Sequence, residues 1–306
     1  RGVDLVYFVG CVASLYPGAY RIPQVLARIM YHAGMEFTIL GGEEWCCGYP
    51  LALLGLQDEA EEMARHNVET VKSLGAKRVV TSCPSCYYMW KHALKQVGAE
   101  IEVNHYTELL YEVVAESGVE LGPVEAVVTY HDPCDLGRKC GIYDPPREVL
   151  ARIPGLKFKE MAQSRQNARC CGGGGNLEMN DPELSRRVAQ ARLNQAIDTG
   201  ASLIVTGCQQ CLRTLAGAVR RARVPQTPQR KEYPGAQRSA IIQHHAGAQG
   251  SGDNIRECDS RRHPLAGTGC PISGDDIWKH DRVQGIRVKD IAEVLWEAMG
   301  LTSSPE

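Results

Sequence analysis

Apolar positions along the chain follow two alternating patterns. Short runs rich in β-branched residues occur at Leu5–Val9, Arg78–Thr81, Ala126–Tyr130 and Leu203–Thr206, mostly bounded by Gly, Pro or Ser. Continuous apolar runs of this length suit strands buried on both faces. Between them apolar residues recur at helical spacing. Ala64, Val68 and Val71 stand at i, i+4 and i+7, and Leu184, Val188 and Ala191 do the same. Helices are predicted at about Ile22–His32, Glu59–Ser73, Thr107–Ala115 and Pro182–Ile197. Alternation of strand and helix predicts parallel βαβ units, whose ligands gather at the carboxyl ends of the strands. Cys11, Cys83, Cys134 and Cys208 all fall just past a predicted strand end.

The pattern is duplicated, and cysteine marks the duplication. Cys11 is followed after 34 residues by the pair Cys46-Cys47, then after 35 residues by Cys83-Pro-Ser-Cys86. Cys134 is followed after 35 residues by Cys170-Cys171, then after 36 by Cys208-Gln-Gln-Cys211. Gaps that agree to one residue across an offset of 123 to 125 positions mark a repeated unit. The flanks agree as well, since Leu74–Cys86 (LGAKRVVTSCPSC) lies over Thr199–Cys211 (TGASLIVTGCQQC). A last element repeats at a longer distance: Val103–Val114 resembles Ile286–Met299, with Glu108 over Glu293. The expectation is an α/β chain of two pseudo-repeated lobes with short parallel sheets, residues 1–120 and 121–306, the sulfur sites at the strand carboxyl ends. The second lobe carries an irregular insertion at about 225–283, rich in Gln, Arg, Pro, Gly and His without clear period, which fits a poorly ordered excursion better than a domain. Cys258, Cys270, His244 and His245 lie in it and are not expected to be ligands of the main sites.

Length and charge add limits. The 306 residues are ample for a core without covalent staples. A formal charge of −2 lacks the basic balance of nucleic-acid binding. No apolar run of about 18 residues and no charged-then-apolar leader is present, so no direct membrane span is expected. The chain reads as cytoplasmic, associated with a membrane only through a partner. Thirteen cysteines are far below the density of small disulfide scaffolds, about 8–10%. In a reducing compartment cysteines tend to bind metal or do redox work.

Each half offers five thiols. A structural zinc site is tetrahedral and closes with four ligands, leaving one over. Iron–sulfur clusters are bound chiefly by Cys thiolates, and a larger or irregular cluster can use the fifth. A thioredoxin-like disulfide in each CxxC gives no role to the CCG triplets. Glycine after each pair, Gly48 and the run Gly172–Gly175, lets backbone approach an inorganic core closely. A phosphate-loop reading of that run is poor because no GK[ST] follows.

Two copies of Cx(34–35)CCGx(34–35)CxxC, with YFVGC, EEWCCGYPL, YHDPCDLGR and NARCCGGGGN around the cysteines, resemble the CCG or cysteine-rich domain family. The resemblance is strongest to the B/D-type subunits of heterodisulfide reductase. Iron–sulfur subunits of glycolate oxidase, lactate-utilisation and anaerobic glycerol-3-phosphate dehydrogenase complexes are relatives. It covers about Val3–Val224 and Ile286–Met299, and not the insertion. The resemblance implies two non-cubane [4Fe-4S] clusters. One would be held by Cys11, Cys46, Cys47, Cys83 and Cys86, the other by Cys134, Cys170, Cys171, Cys208 and Cys211. It implies two-electron reduction of a small-molecule disulfide of the CoM-S-S-CoB type to two thiols, in one-electron steps. Electrons would come from a ferredoxin-type, flavin or cytochrome b subunit. Family D-type chains often carry cubane motifs upstream, and this chain has none, so either another polypeptide supplies the wire or the chain is a fragment.

Other residues are weighed singly. His131, three residues before Cys134, could donate a proton to a leaving thiolate, since an unperturbed imidazole titrates near neutrality, or could simply hydrogen-bond the site. Its repeat counterpart is Phe8. Cys140 has no ligand counterpart and reads as a buried structural thiol. Arg138 and Lys139 could attract an anionic substrate but suit solvated surface equally. Two further functions compete: an electron-relay subunit of a glycolate, lactate or glycerol-3-phosphate dehydrogenase-type complex, and a zinc-bound assembly module, against which the odd fifth thiolate counts.

Overall fold

The computed structural model describes residues 3–97, 99–223 and 283–301. The insertion, with Cys258, Cys270, His244 and His245, lies outside the described residues except for its last position, Val283, which is buried. The first half runs β1 (Leu5–Phe8), α1 (Cys11–Leu15), α2 (Arg21–His32), β2 (Phe37–Ile39), α3 (Tyr49–Leu53), α4 (Gln57–Leu74), β3 (Arg78–Thr81), α5 (Pro84–Val97), β4 (Glu102–His105) and α6 (Tyr106–Glu116). The second runs β5 (Ala126–His131), a π-helical turn (Asp135–Lys139), α7 (Asp144–Arg152), β6 (Leu156–Phe158), α8 (Leu177–Asn180), α9 (Pro182–Asp198), β7 (Leu203–Thr206), α10 (Gln209–Arg223), β8 (Arg287–Asp290) and α11 (Ile291–Ala298).

Each half forms a four-stranded parallel sheet, ordered β2-β1-β3-β4 in one and β6-β5-β7-β8 in the other. The chain leaves β1 toward β2 on one side and returns to β3 on the other, so the direction of winding reverses between the two central strands. Such a switch point opens a crevice beyond the strand carboxyl ends. Cys11 follows β1 there and Cys83 follows β3, and the second sheet repeats this with Cys134 and Cys208.

Strand alternation divides the core into three. Leu5, Tyr7 and Val80 of the first sheet and Val128, Tyr130, Leu203 and Val205 of the second share one apolar cluster with α2, α6, α7 and α11. On the outer faces Val6, Phe8 and Val79 pack on α4 and α5, and Ile204 packs on α9 and α10. The described elements of both lobes thus form one compact unit. A fully buried Leu or Ile contributes about 1.5–3 kcal/mol, against about 1 kcal/mol for a hydrogen bond. Apolar burial therefore holds the lobes together, and polar contacts set their register. At the seam the Tyr106 hydroxyl donates to Asp290 Oδ2 (2.6 Å), Gln209 Nε2 to Ser82 Oγ (2.6 Å) and Ser85 Oγ to Asp135 Oδ2 (2.7 Å).

The alignment of Glu108 with Glu293 has a physical basis. Both are the third residue of a helix whose cap they close, accepting from the backbone N–H of His105 (2.8 Å) and Asp290 (3.0 Å). Two sequence expectations need adjustment. The four strands expected are the central ones, whereas β2, β4, β6 and β8 at the sheet edges were not anticipated. In α9 the buried face is Ser185, Ala189, Arg192, Leu193 and Ala196, one residue on from the Leu184, Val188, Ala191 stripe. Leu184 is exposed. The face is set by close packing of the helix on the loop after Cys171, where Ser185 Oγ donates to Gly172 O (2.7 Å).

Candidate metal centre

Three segments bring sulfur to each switch point: a helix start after the first central strand, the loop after the edge strand, and the CxxC that opens the helix after the second central strand. In the first lobe the thiols interact as neighbours in one run, Cys11 with Cys46, Cys46 with Cys47, Cys47 with Cys86 and Cys86 with Cys83. The second lobe repeats it: Cys134 to Cys170, Cys170 to Cys171, Cys171 to Cys211 and Cys211 to Cys208. The structure thus gathers all ten cysteines singled out by spacing into two quintets, and none is in a disulfide. Burial repeats too. Cys47, Cys83 and Cys86 are buried while Cys11 and Cys46 are half-buried, and Cys171, Cys208 and Cys211 are buried while Cys134 and Cys170 are half-buried. A cleft of about 490 Å³, lined by Val9, Cys11, Ser14, Glu44, Trp45 and Cys46 among others, gives solvent access to the half-buried side of the first quintet.

The glycine of each CCG triplet is obligatory on two grounds. Gly48 and Gly172 have φ of +83° and +88°, a region open to few residues other than glycine. A Cβ would also stand 2.7 Å from the Ala60 carbonyl oxygen in one lobe and 2.4 Å from that of Ser185 in the other. The turn so made aims backbone N–H groups at sulfur: Gly172 N donates to Cys170 Sγ (3.2 Å) and Gly173 N to Cys171 Sγ (3.4 Å). In each quintet the first cysteine of the vicinal pair is held far down, Cys46 and Cys170 each to about 2, and in the first lobe Cys83 is lowered as well. Hydrogen bonds from Cys11 and Cys47 do this for Cys46, and bonds from Cys134 and Cys171 for Cys170, with the backbone N–H of Gly48 or Gly172 assisting. Cys11 and Cys134 are correspondingly pushed up as the donors.

Around this shared sulfur framework the lobes differ. In the first, the Glu44 carboxylate accepts from Val9 N (2.9 Å) and Gly10 N (2.7 Å). Asn67 on α4 accepts from Trp45 N (3.0 Å) and donates to the carbonyls of Trp45 and Cys46 (3.2 Å each). In the second, the position matching Glu44 is Ala168 and that matching Asn67 is Arg192. Arg192 is fully buried and donates from Nε to His131 Nδ1 (2.9 Å). His131 is buried, with a ring nitrogen grouped within 4.8 Å of the Cys171 and Cys211 sulfurs. Burial, then the Arg192 charge, depress its pKa well below 6.5. With Nδ1 accepting from Arg192, the proton of the neutral ring is on Nε2.

Glu44, Asn67 and Arg192 were not read from the sequence. The repeat alignment was the available signal, since Asn67 and Arg192 stand at the 125-residue offset on the two equivalent helices. Cys140 is half-buried rather than buried; it packs beside Ile142 against the first lobe's outer core, and burial pushes its thiol up to about 11. Lys139 is engaged by Asp135 (3.0 Å) and lies over the Tyr49 ring (4.6 Å), and Arg138 donates to the Ala168 carbonyl (2.5 Å).

The donor set suits an inorganic iron–sulfur core. Ten soft sulfur donors, unpaired with one another, stand in two groups of five. A fully buried guanidinium, with no carboxylate hydrogen-bonded to it among the described residues, faces the second group and calls for a negative charge there. Four-coordinate zinc would leave one thiol of each five unused.

Comparison with known proteins agrees with the repeat. The profile of the CCG family, described as a cysteine-rich domain, matches residues 5–91 and 128–216, one match per lobe. The D subunit of dihydromethanophenazine:CoB--CoM heterodisulfide reductase from Methanosarcina acetivorans is 39% identical over 222 residues, covering 69% of this chain and 53% of the relative. EtfAB:quinone oxidoreductase of Syntrophomonas wolfei is 34% identical over 227 residues, covering 72% and 32%. The B subunit of fumarate reductase (CoM/CoB) from Methanothermobacter marburgensis is 30% identical over 213 residues, covering 69% and 41%. The chain spans about half the length of the D-type heterodisulfide reductase relatives it matches. With one complete cysteine set in each matched segment, the chain belongs to the CCG cysteine-rich domain family and carries two copies of that domain.

Proposed function

We propose that this chain is the iron–sulfur part of an oxidoreductase that reduces a disulfide, R–S–S–R′ + 2e⁻ + 2H⁺ → RSH + R′SH, with the disulfide of the CoM-S-S-CoB type. The observation that carries the reading is the pairing of two complete sulfur quintets across one hydrogen bond. Ser82 precedes Cys83, Gln209 follows Cys208, and Gln209 Nε2 donates to Ser82 Oγ. Cleaving one S–S bond gives two thiolates, and two adjoining sites of equal sulfur content can each stabilise one. Relatives named as D-type chains of heterodisulfide reductase support this direction.

The residues fit two non-cubane [4Fe-4S] clusters, one held by Cys11, Cys46, Cys47, Cys83 and Cys86, the other by Cys134, Cys170, Cys171, Cys208 and Cys211. When bound, such clusters supply one-electron steps and iron with affinity for sulfur. The protein's own groups do the rest. Gly48 and Gly172 hold the vicinal pairs against α4 and α9. The cleft at Cys11 and Cys46 admits solvent protons. His131, buried beside the Cys171 and Cys211 sulfurs, is the group placed to give a proton to a leaving thiolate or a hydrogen bond to the second site. Electrons come from a ferredoxin-type, flavin or cytochrome b partner. Among the described residues no helix is long and apolar enough to cross a membrane.

The test is electron paramagnetic resonance of anaerobically purified chain after oxidation, with and without candidate thiols. A paramagnetic signal that appears or shifts with one thiol is expected. Iron whose signal ignores every thiol would replace this reading by the electron-relay role.

A further inference from the structure

The two quintets are alike in sulfur and unlike in charge. Arg192 on α9 has no exposed surface. Its Nε donates to His131 Nδ1 (2.9 Å), and its Nη1 donates to Gln163 O and Gln195 Oε1 (2.7 Å each). Nη2 has no partner among the described residues. Every acceptor on the guanidinium is neutral. The nearby acid, Asp132, is already occupied: Arg147 binds both its oxygens (2.8 and 3.0 Å) and Arg165 N donates to it (2.8 Å). Arg147 is in turn shared with Glu160 (2.6 Å). Desolvating a cation without an anion against it is costly, and the groups left for Arg192 to face are the sulfurs of Cys171 and Cys211. The first lobe has the opposite arrangement. Neutral Asn67 takes the place of Arg192, and the loop before Cys46 carries Glu44, whose two oxygens accept backbone N–H bonds, where the second lobe has Ala168.

A cluster held by thiolates becomes more negative on reduction, so a fixed positive charge beside it favours the reduced form and raises its potential. Accepting the two-cluster reading above, we propose that Arg192 makes the second-lobe cluster the higher-potential member of the pair. A single electron delivered to the chain then settles in the second lobe, and the first-lobe cluster is reduced only by the next. Arg192 acts on the cluster through its field and does not touch a substrate.

The experiment is a dithionite titration of the complete, anaerobically reconstituted chain, followed by electron paramagnetic resonance, with iron and labile sulfide counted in every sample. Cys47→Ser leaves the second-lobe cluster and Cys171→Ser leaves the first. The cluster of the Cys47→Ser chain is expected to titrate at the higher potential. Arg192→Gln added to Cys47→Ser should lower that potential, Arg192→Lys should keep most of it, and Arg192→Gln added to Cys171→Ser should change nothing. Equal potentials in the two cysteine variants, or no shift on Arg192→Gln with iron retained, overturn the inference while leaving the clusters standing. Should Arg192→Gln not hold iron, the two cysteine variants and Arg192→Lys decide. Absence of iron from the unaltered chain overturns the cluster reading itself, and the inference with it.

Discussion

Laid over one another, the two lobes agree wherever sulfur must be placed and disagree wherever charge can be chosen. Sheet order, the CCG turn with its glycine at positive φ, the sequence of thiol contacts and the burial of each cysteine repeat. Yet Phe8, packed edge-on to Trp90 at 5.4 Å, gives way to His131, Glu44 to Ala168 and Asn67 to Arg192. Placing five sulfurs is a steric problem with few solutions, because the glycine turns sit against a helix backbone. The groups just behind the sulfurs have no such constraint, and there the duplicated halves have separated.

The largest expected effect tests whether the lobes are independent sites. Cys47→Ser and Cys171→Ser should each remove about half of the bound iron, measured per chain by metal analysis; loss of all iron from either would mean one shared site. Next come the turns. Gly48→Ala and Gly172→Ala each force a Cβ into a helix carbonyl, at 2.7 and 2.4 Å. Each should cost about 2–3 kcal/mol in urea unfolding and deplete iron in its own lobe, Gly172→Ala more severely. At the seam, Ser82→Ala leaves both the Tyr7 hydroxyl and Gln209 Nε2 without their shared partner. A loss of about 1–3 kcal/mol is expected, read by the same unfolding measurement.

A further pair of predictions distinguishes the two equivalent helix caps. Burial raises Asp290 to about 8. In the unfolded chain it ionises near 4. Between those limits only the unfolded state gives up the proton, so this group's contribution to stability declines as pH rises from about 4 to 8. Burial lowers His105, its counterpart, to about 3. Its contribution is present above about 6.5 and is lost as pH falls toward 3. Asp290→Asn should flatten the decline on the rising side and His105→Gln the decline on the acid side. Thermal unfolding from pH 4 to 8 checks both, and an unchanged profile in either variant contradicts the assignment for that cap.

Sequence made the centre of each lobe visible and hid its margins. Strands β1, β3, β5 and β7 lie between two neighbours and two helix layers, so their residues are nearly all apolar and read plainly. Edge strands such as β4 (EVNH) and β8 (RVKD) bury little and carry polar residues, and nothing local separates them from loop. The ten cysteines were legible because their spacing repeats. Arg192 was not, because a charged residue on a helix is ordinarily solvent-facing, and the apolar period of α9 ran one residue off its true buried face. Glu44 was hidden similarly, since its partners are backbone N–H groups that no side-chain pattern betrays.

The most direct single measurement is the count of iron, zinc and acid-labile sulfide per chain after anaerobic purification. Two clusters of four irons require about eight irons and eight labile sulfides, with zinc at trace level. One or two zinc ions without labile sulfide would contradict the claim that each lobe gathers its five thiols around an iron–sulfur core.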